Sequence, residues 1–184
     1  MEIHYQLKFF SQWRCDAGTS FGAAADNAVV RDANGLPYFP GKTIKGLLRE
    51  AAEDYNQFTQ GQRSEEIETI FGGDAKEGVC HFTDVTFSEE ETKAILAHKL
   101  QKFLYHTITT TAIDEKGIAL PFSLRTIEAV LPCSLYGTIY NVPEESRDLL
   151  TACAGFIKYI GMHRNRGFGR CQLTILEEGG NNNG

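Results

Sequence analysis

The spacing of apolar residues switches between the period of a strand and that of a helix, and this alternation limits the fold most. Residues 3–10, IHYQLKFF, place an apolar side chain at every second position, as in a half-buried strand. Two later segments instead repeat apolar residues at helical spacing, and each must bury one stripe. The stripes are Ile44, Leu47, Leu48, Ala51 and Tyr55 in a helix that starts near Thr43, and Leu149, Leu150, Cys153, Phe156, Ile157 and Ile160 in a second helix.

Three further segments have the composition of strands. They are VCHFTDVTF at 79–87, LPCSLYGTIYNV at 131–142 and CQLTILE at 171–177. The resulting order is strand–helix–strand–strand–helix–strand, which is the pattern of the ferredoxin-like fold. We therefore predict an α+β fold with a ferredoxin-like (RRM-like) palm in a single domain, 1–178, followed by a disordered tail at 179–184.

An insertion at about 89–129 interrupts this pattern between the second and third strands. It begins with TKAILAHKLQKFLYH, which predicts a short helix, and continues with residues 107–129, which are polar, β-branched and poor in core residues. We predict a protruding hairpin there. A smaller hairpin is predicted at 28–39, where Asn34-Gly35 supplies a tight turn.

Positive charge is concentrated in two short segments of an otherwise acidic chain. The net charge is −6 over 184 residues, yet residues 40–49 and residues 161–170 (the arginine loop) together contribute +6 and contain no acid. The rest of the chain therefore carries −12. This distribution argues against a broad nucleic-acid surface and indicates a shaped anion site.

The cysteine pattern and the hydropathy indicate the cellular compartment in which the protein is expected. The five cysteines are scattered, without a CxxC pair or metal-finger spacing, as expected for thiols in a reducing cytoplasm. No apolar run approaches the roughly 20 residues that span a membrane, and MEIHYQLKFF lacks the features of a signal peptide. We expect a cytoplasmic protein with no membrane partner.

The tripeptide Gly41-Lys42-Thr43 suggests a nucleotide-binding P-loop, but its surroundings do not fit one. A P-loop needs a glycine five positions before the glycine of the tripeptide, and that position holds Leu36. Prolines at 37 and 40 also remove two amide donors from the segment that would surround the phosphates. We therefore exclude an NTPase site.

Both basic segments remain candidates for binding another kind of phosphate. The first helix carries Lys42, Lys45 and Arg49 where the helix dipole favours acids, and cations beside outward-pointing amides predict an anion site. In the arginine loop, glycines at 161, 167 and 169 would let the backbone approach a ligand, which favours a phosphodiester partner. Its candidate residues are His163, Arg164, Asn165, Arg166, Gly167 and Arg170.

Several acids could take part in chemistry, among them Asp16, Asp26, Asp32 and Asp114. Asp32 lies in RDANG and is most simply a turn residue. Taken alone, Asp26 is an ordinary loop carboxylate, and no spacing supports a Ser/His/Asp arrangement. The residues alone leave the catalytic group open.

Four segments occur in an order that one family shares. DNAVVRDANGLPYFPGKTIKGLLRE is similar to an aspartate-containing loop followed by a PxIPGSSLKGxxR signature. TTAIDEKGIALPFSLRTIEAVLPCSLYGTIY resembles the family's thumb segment, MHRNRGFGR resembles its C-terminal glycine-rich loop, and IFG at 70–72 also fits. The chain thus resembles the RAMP superfamily of CRISPR-associated proteins. Within it, the chain looks most like the backbone subunit of type III (Csm/Cmr-type) RNA-targeting effector complexes of antiviral defence.

The resemblance implies a ferredoxin-like palm with a β-hairpin thumb and a C-terminal Gly-rich loop, stacked in several copies along a CRISPR RNA. It places guide-backbone contacts on the basic residues of the first helix and on 163–170. It places on Asp26 the aspartate that cleaves paired target RNA with a divalent metal, for which Mg²⁺ is expected. That carboxylate would bind the metal or help to activate a ribose 2′-hydroxyl. The implied partners are guide RNA, target RNA, other effector subunits and copies of the chain.

Three alternative functions stay open at this point. The chain could be a guide-binding scaffold subunit without chemistry. It could be a RAMP-fold endonuclease that processes precursor guide RNA, with His163 as a candidate catalytic residue. It could also be a ferredoxin-like binder of a small phosphorylated ligand, in which case RNA binding would be absent or insensitive to salt.

Overall fold

The computed structural model describes residues 1–15, 29–73, 76–120 and 122–176, which combine helices with antiparallel sheets. The strands are β1 (Ile3–Phe9), β2 (His81–Phe82), β3 (Tyr105–Thr110), β4 (Arg125–Val130), β5 (Ser134–Tyr140) and β6 (Cys171–Ile175). The α-helices are α1 (Gly41–Phe58), α2 (Ser64–Phe71), α3 (Glu89–Ala97) and α4 (Arg147–Phe156). The α+β prediction is confirmed.

Within the described ranges, four strands form one antiparallel sheet in the order β2–β5–β1–β6. β1 lies in the middle, with Tyr5 opposite Gly137 of β5 on one side and opposite Ile175 of β6 on the other. Counting only these four strands along the chain, the order is second, third, first, fourth. This is the arrangement that a ferredoxin-like strand–helix–strand–strand–helix–strand chain produces.

The helices α1 and α4 cover one face of this sheet. Alternation along β1 directs Ile3, Tyr5 and Leu7 to that face, where they are completely or almost completely buried. The predicted stripes of both helices are buried for the most part. Phe156 is an exception, with 48% of its surface exposed, because α4 ends at this residue. The prediction that Phe156 belongs to the core is wrong.

Several element boundaries differ from the predicted ones. The first helix begins at Gly41, two residues early, and α2 was not predicted at all. The second strand is regular only at His81–Phe82, because Asp84 and Val85 form a bulge between hydrogen bonds from Thr83 and Thr86 to β5. The predicted helix at 92–106 instead runs over Glu89–Ala97, where a Ser88 capping box begins it.

The strands β3 and β4 form the hairpin that the sequence predicts. They pair from Tyr105 with Val130 to Thr110 with Arg125. Farther out, Ile113 bridges Ala119 around a turn in which the Asp114 carboxylate accepts backbone hydrogen bonds. The boundaries of the insertion as a whole, about 89–129, stay a prediction.

Buried thiols line several parts of the core. Burial raises the pKa of Cys80 and Cys153 to about 11 and that of Cys133 and Cys171 to about 12. These four thiols therefore stay protonated at neutral pH, which limits their reactivity. In the described part of the chain, no helix is long and apolar enough to cross a membrane.

Candidate nucleic-acid interface

The residues that follow β1 hydrogen-bond the arginine loop. We call residues 10–15 the junction segment. The backbone N–H of Gly169 donates to the carbonyl oxygen of Gln12 at 2.8 Å, and that of Met162 donates to the carbonyl oxygen of Arg14 at 3.0 Å. Because these contacts involve both ends of the arginine loop, the loop is fixed against the junction segment.

The junction segment also holds the base of the β3–β4 hairpin. Trp13 and Val130 exchange two backbone hydrogen bonds, of 3.0 and 2.8 Å. Trp13 is completely buried and stacks on Phe39, with ring centroids 4.9 Å apart. The arginine loop and the hairpin therefore meet at neighbouring residues of one short, rigidly packed segment.

The residues on either side of segment 16–28 are hydrogen-bonded to each other at the end of the junction segment. The backbone N–H of Val30 donates to the carbonyl oxygen of Cys15 at 2.9 Å. Asp26 and Asp16 lie between these two residues and outside the described part of the chain. The proposed catalytic aspartate thus belongs to a segment that leaves from, and returns to, the end of the junction segment.

A cluster around Tyr105 ties the returning chain to the hairpin. The guanidinium of Arg31 lies 3.9 Å from the centroid of the Tyr105 ring and 2.6 Å from Oε1 of Glu128. The Tyr105 hydroxyl donates to the carbonyl oxygen of Gly35 at 2.7 Å, and burial raises its pKa to about 12. Because the Arg31–Glu128 pair is partly exposed, we expect it to add little to the free energy of unfolding. Its main effect is to position the chain around Arg31 against the hairpin.

The glycines of the arginine loop have two different roles. Gly161 (φ +90°) and Gly169 (φ +68°) press against the backbone, and a Cβ there would overlap the carbonyl oxygens of Arg14 and Ile160. Gly167 (φ +84°) has no atom within 4 Å of its Cβ position. The interpretation that all three let a ligand approach is therefore wrong for 161 and 169, which let the protein's own strands approach.

The charged residues of the arginine loop are exposed. Arg164, Asn165 and Arg166 form a short 3-10 turn, and Gly167 and Arg170 are exposed as well. His163 differs, because it is only partly exposed and its ring centroid lies 5.9 Å from that of Phe168. The loop therefore offers guanidinium groups to solvent, while its histidine packs beside an aromatic ring.

The first amide of α1 already has an anionic partner. The backbone N–H of Gly41 donates to Oδ1 of Asp84 at 2.8 Å, so a carboxylate from the bulge caps the helix. This contact was not predicted, and it occupies a group that the expected anion site would use. Lys45 and Arg49, farther along α1, are therefore better placed than the helix terminus to contact a phosphate.

Lys45 and Arg49 line an open cleft of 630 Å³, which we call the basic cleft. The loop after α2 contributes Lys76 and three glycines to the lining of this cleft, and β2 contributes His81. Arg49 also pairs with Glu53 on α1, with 2.8 Å between Nε and Oε1. Lys76 and His81 were not predicted, although the glycine-rich FGGDAKEG gave a signal for Lys76.

In the described part of the chain, Lys45 and Arg49 line a different cleft from Arg164. Arg164 of the arginine loop lines a smaller cleft of 280 Å³ together with Leu47 and Glu50 of α1. At 100° per residue, Leu47 and Glu50 lie on one flank of α1 and Lys45 and Arg49 on the other. Lys45 and Arg49 therefore line one cleft beside α1, and Arg164 lines another on the opposite flank of the helix. The shaped anion site expected from the sequence stays a prediction.

The two candidate acids that the structure describes, Asp32 and Asp114, hold turns of the backbone. The Asp32 carboxylate accepts the backbone N–H groups of Asn34 and Leu36, and Asp114 makes the same turn with residues 116 and 118. The assignment of Asp32 as a turn residue is confirmed. Among residues 1–15, 29–73, 76–120 and 122–176, no three histidine, cysteine or acidic side chains come close enough to form a metal site.

Comparison with known proteins identifies the family. A sequence model of the RAMP superfamily matches residues 6–172, almost the whole chain. The chain belongs to the RAMP superfamily. A search of curated proteins gives no match to the RAMP chain.

Solved structures agree with the fold of the RAMP chain. A chain in the cryo-EM structure of the type III-B Cmr-beta bound to cognate target RNA matches with a TM-score of 0.69 and 10% identity, over 95% of this chain and 97% of that one. A chain in the apo state of type III-B Cmr-beta matches with a TM-score of 0.71 and 11% identity, over 97% and 98%. At such low identity, these similarities establish the fold.

Proposed function

We propose that the RAMP chain is a CRISPR RNA-binding backbone subunit of a type III effector complex. We further propose that it cleaves paired target RNA through Asp26, with Mg²⁺ as cofactor. The observation that carries the proposal is the junction segment, which binds the arginine loop and the hairpin base and leads directly into the segment that contains Asp26. The likeness to chains of type III-B Cmr-beta structures, one of them bound to cognate target RNA, supports the same function.

Each of the joined parts has a task in this function. The exposed guanidiniums of Arg164, Arg166 and Arg170 neutralise guide phosphates, and the release of counterions makes this binding salt-dependent. The β3–β4 hairpin enters between guide and target and exposes a target linkage. The described residues next to the Asp26 segment, Cys15 and Val30, are joined by a backbone hydrogen bond beside the base of the hairpin.

The chemistry is assigned to the Asp26 carboxylate. It would hold the metal, whose charge stabilises the phosphate as negative charge develops, or it would orient and help to deprotonate the ribose 2′-hydroxyl. The described residues supply no further cluster of ligands. The remaining ligands would then come from the RNA phosphates or from residues outside the described ranges.

The test uses the assembled effector complex with a complementary target RNA. Asp26→Ala is expected to abolish cutting at the position of this subunit while guide RNA still co-purifies, and chelation of the metal is expected to do the same. Asp16→Ala, a change in the same segment, is the matched control and should retain cutting. Undiminished cutting by Asp26→Ala would make the chain a scaffold subunit without chemistry.

A second measurement distinguishes the proposed function from that of an endonuclease that processes precursor guide RNA. Such an enzyme would cut a guide-repeat hairpin alone and without metal, and His163→Ala would stop it. We expect no such cutting, because His163 is partly covered and packs beside Phe168. Metal-free cleavage that depends on His163 would replace the proposed function.

A further inference from the structure

One residue that lines the basic cleft, His81, also belongs to a ring pair on the other face of the sheet. His81 in β2 is directly opposite Tyr140 in β5, so both side chains point to the face that α1 and α4 do not cover. Their rings lie 6.5 Å apart between centroids with an angle of 29°. Tyr140 is 37% exposed and His81 is exposed too, so the pair presents a ring surface to solvent.

The cleft itself has the composition of a phosphate site. Among the described residues that line it, Lys45, Arg49 and Lys76 are cations and Glu77 is the one acid. Only one of the cations, Arg49, has an acidic partner among the described ion pairs, and that partner, Glu53, is half exposed. An exposed pair of this kind gives little energy, so a phosphate can replace Glu53 at the guanidinium.

The shape of the loop after α2 explains how Lys76 faces α1. A Cβ at Gly72 (φ +89°) would lie 2.7 Å from the backbone nitrogen of Gly78, so the two ends of the loop touch. The backbone N–H of Gly73 also donates to the carbonyl oxygen of Lys76 at 2.8 Å. These close contacts hold the described ends of the loop together, and Lys76 lines the same cleft as Lys45.

We propose that the basic cleft and the His81–Tyr140 pair form one binding unit for single-stranded RNA. A phosphate lies among Lys45, Arg49 and Lys76, and a neighbouring base stacks on the rings of His81 and Tyr140. This inference rests on the RNA binding of the proposed function and adds three residues to it: Lys76, His81 and Tyr140. Base stacking on aromatic side chains beside a basic groove is a common mode of single-strand recognition.

The position of His81 favours a polynucleotide over a small phosphorylated ligand. A small ligand would be satisfied inside the cleft, where the polar groups are. His81 belongs both to the cleft wall and to the ring pair, so the two sites are continuous around the edge strand β2. A ligand that uses both must extend from a phosphate to a base, as a nucleotide chain does.

The test measures binding of the purified full chain to fluorescein-labelled oligoadenylate RNA by fluorescence anisotropy over a range of salt concentrations. Lys76→Ala should weaken binding and reduce the slope of log affinity against log salt by about 0.7, because one phosphate contact is lost. Tyr140→Ala should weaken binding at least about fivefold without changing the slope. Tyr140→Phe should bind like the wild type, since it keeps the ring.

The controls are a cation and an aromatic residue away from the unit. Lys93→Ala, on α3, should leave the salt slope unchanged, and Phe58→Ala, at the far end of α1, should leave the affinity unchanged. Wild-type affinity of Tyr140→Ala would overturn the proposal even if arginine-loop variants weaken binding, and the proposed function would then stand. If the wild type binds no RNA, both this inference and the RNA binding of the proposed function are wrong.

Discussion

Replacement of Gly169 by alanine should destabilise the fold strongly, although this glycine lies in a loop. Its backbone has φ +68°, and a Cβ would overlap the carbonyl oxygen of Ile160. The backbone groups at this position are also engaged, because the N–H of Ile160 donates to the Gly169 carbonyl oxygen at 2.9 Å and the Gly169 N–H donates to Gln12. The side chain therefore cannot be accommodated without a shift of paired backbone.

The magnitude follows from two separate costs. A residue with a Cβ in the left-handed region costs roughly 1–2 kcal/mol. Forcing an extra methyl group into packed surroundings adds about 1–3 kcal/mol. Together these costs lower the free energy of unfolding of Gly169→Ala by about 2–5 kcal/mol. In a chain of this length each kcal/mol lowers the melting temperature by roughly 2–4 °C, so the expected decrease is about 10 °C.

Gly167→Ala is the matched control, since it changes the same loop and the same backbone region. Its φ is +84°, but no atom lies within 4 Å of the Cβ position. Only the conformational cost applies, about 1–2 kcal/mol, or a few degrees in melting temperature. Thermal unfolding followed by circular dichroism measures both variants. Equal decreases for Gly167→Ala and Gly169→Ala would refute the claim that backbone contact sets the requirement for glycine at 169.

Three further predictions concern α1 and the sheet beneath it. Glu53→Gln should tighten RNA binding in low salt, because Arg49 loses its competing carboxylate 2.8 Å away, and weaker binding in the anisotropy assay would contradict a phosphate role for Arg49. Asp84→Ala removes the acceptor of the Gly41 N–H and should lower the free energy of unfolding in urea by about 1 kcal/mol, with a smaller loss for Asp84→Asn. Tyr5→Phe should not destabilise the chain, because the buried Tyr5 hydroxyl has no hydrogen-bond partner within the described residues. Burial, with a smaller contribution from Asp84, raises the pKa of Tyr5. The wild type should therefore lose stability as the pH rises above about 10, where the unfolded tyrosine ionises, and Tyr5→Phe should lose less. Equal losses of the two proteins in urea unfolding from neutral to alkaline pH would refute this.

The spacing of apolar residues correctly predicted those strands and helices that bury one face in the core. β1, α1, α4 and β6 each turn a stripe of apolar residues to the core, and such a stripe is visible in the sequence. The short helix α2 was not predicted, and the predicted length of strand β2 was too great. Their extent depends on partners far along the chain, such as the hydrogen bonds from Thr83 and Thr86 to β5.

The candidate site was predicted less completely, because charge and composition do not show which groups meet. Lys45 and Arg49 were correctly found on one face of a helix, but Lys76 and His81 join them only through the path of the loop after α2. The residues of the arginine loop were proposed from composition, and their contact with RNA stays a prediction. Whether Asp26 acts on RNA stays a prediction.

The sequence by itself determined the order of the four core strands and the two helices that cover them, the hairpin, the positions of the basic segments and the family. These properties depend on local spacing and on motifs, which a single chain displays directly. The tertiary structure alone decided that Asp84 caps α1, that Gly161 and Gly169 serve backbone packing, and that Lys45 and Arg49 line a different cleft from Arg164. The physical reason is that each of these depends on contacts between residues distant in sequence, and only the packed sheet and helices bring those residues together.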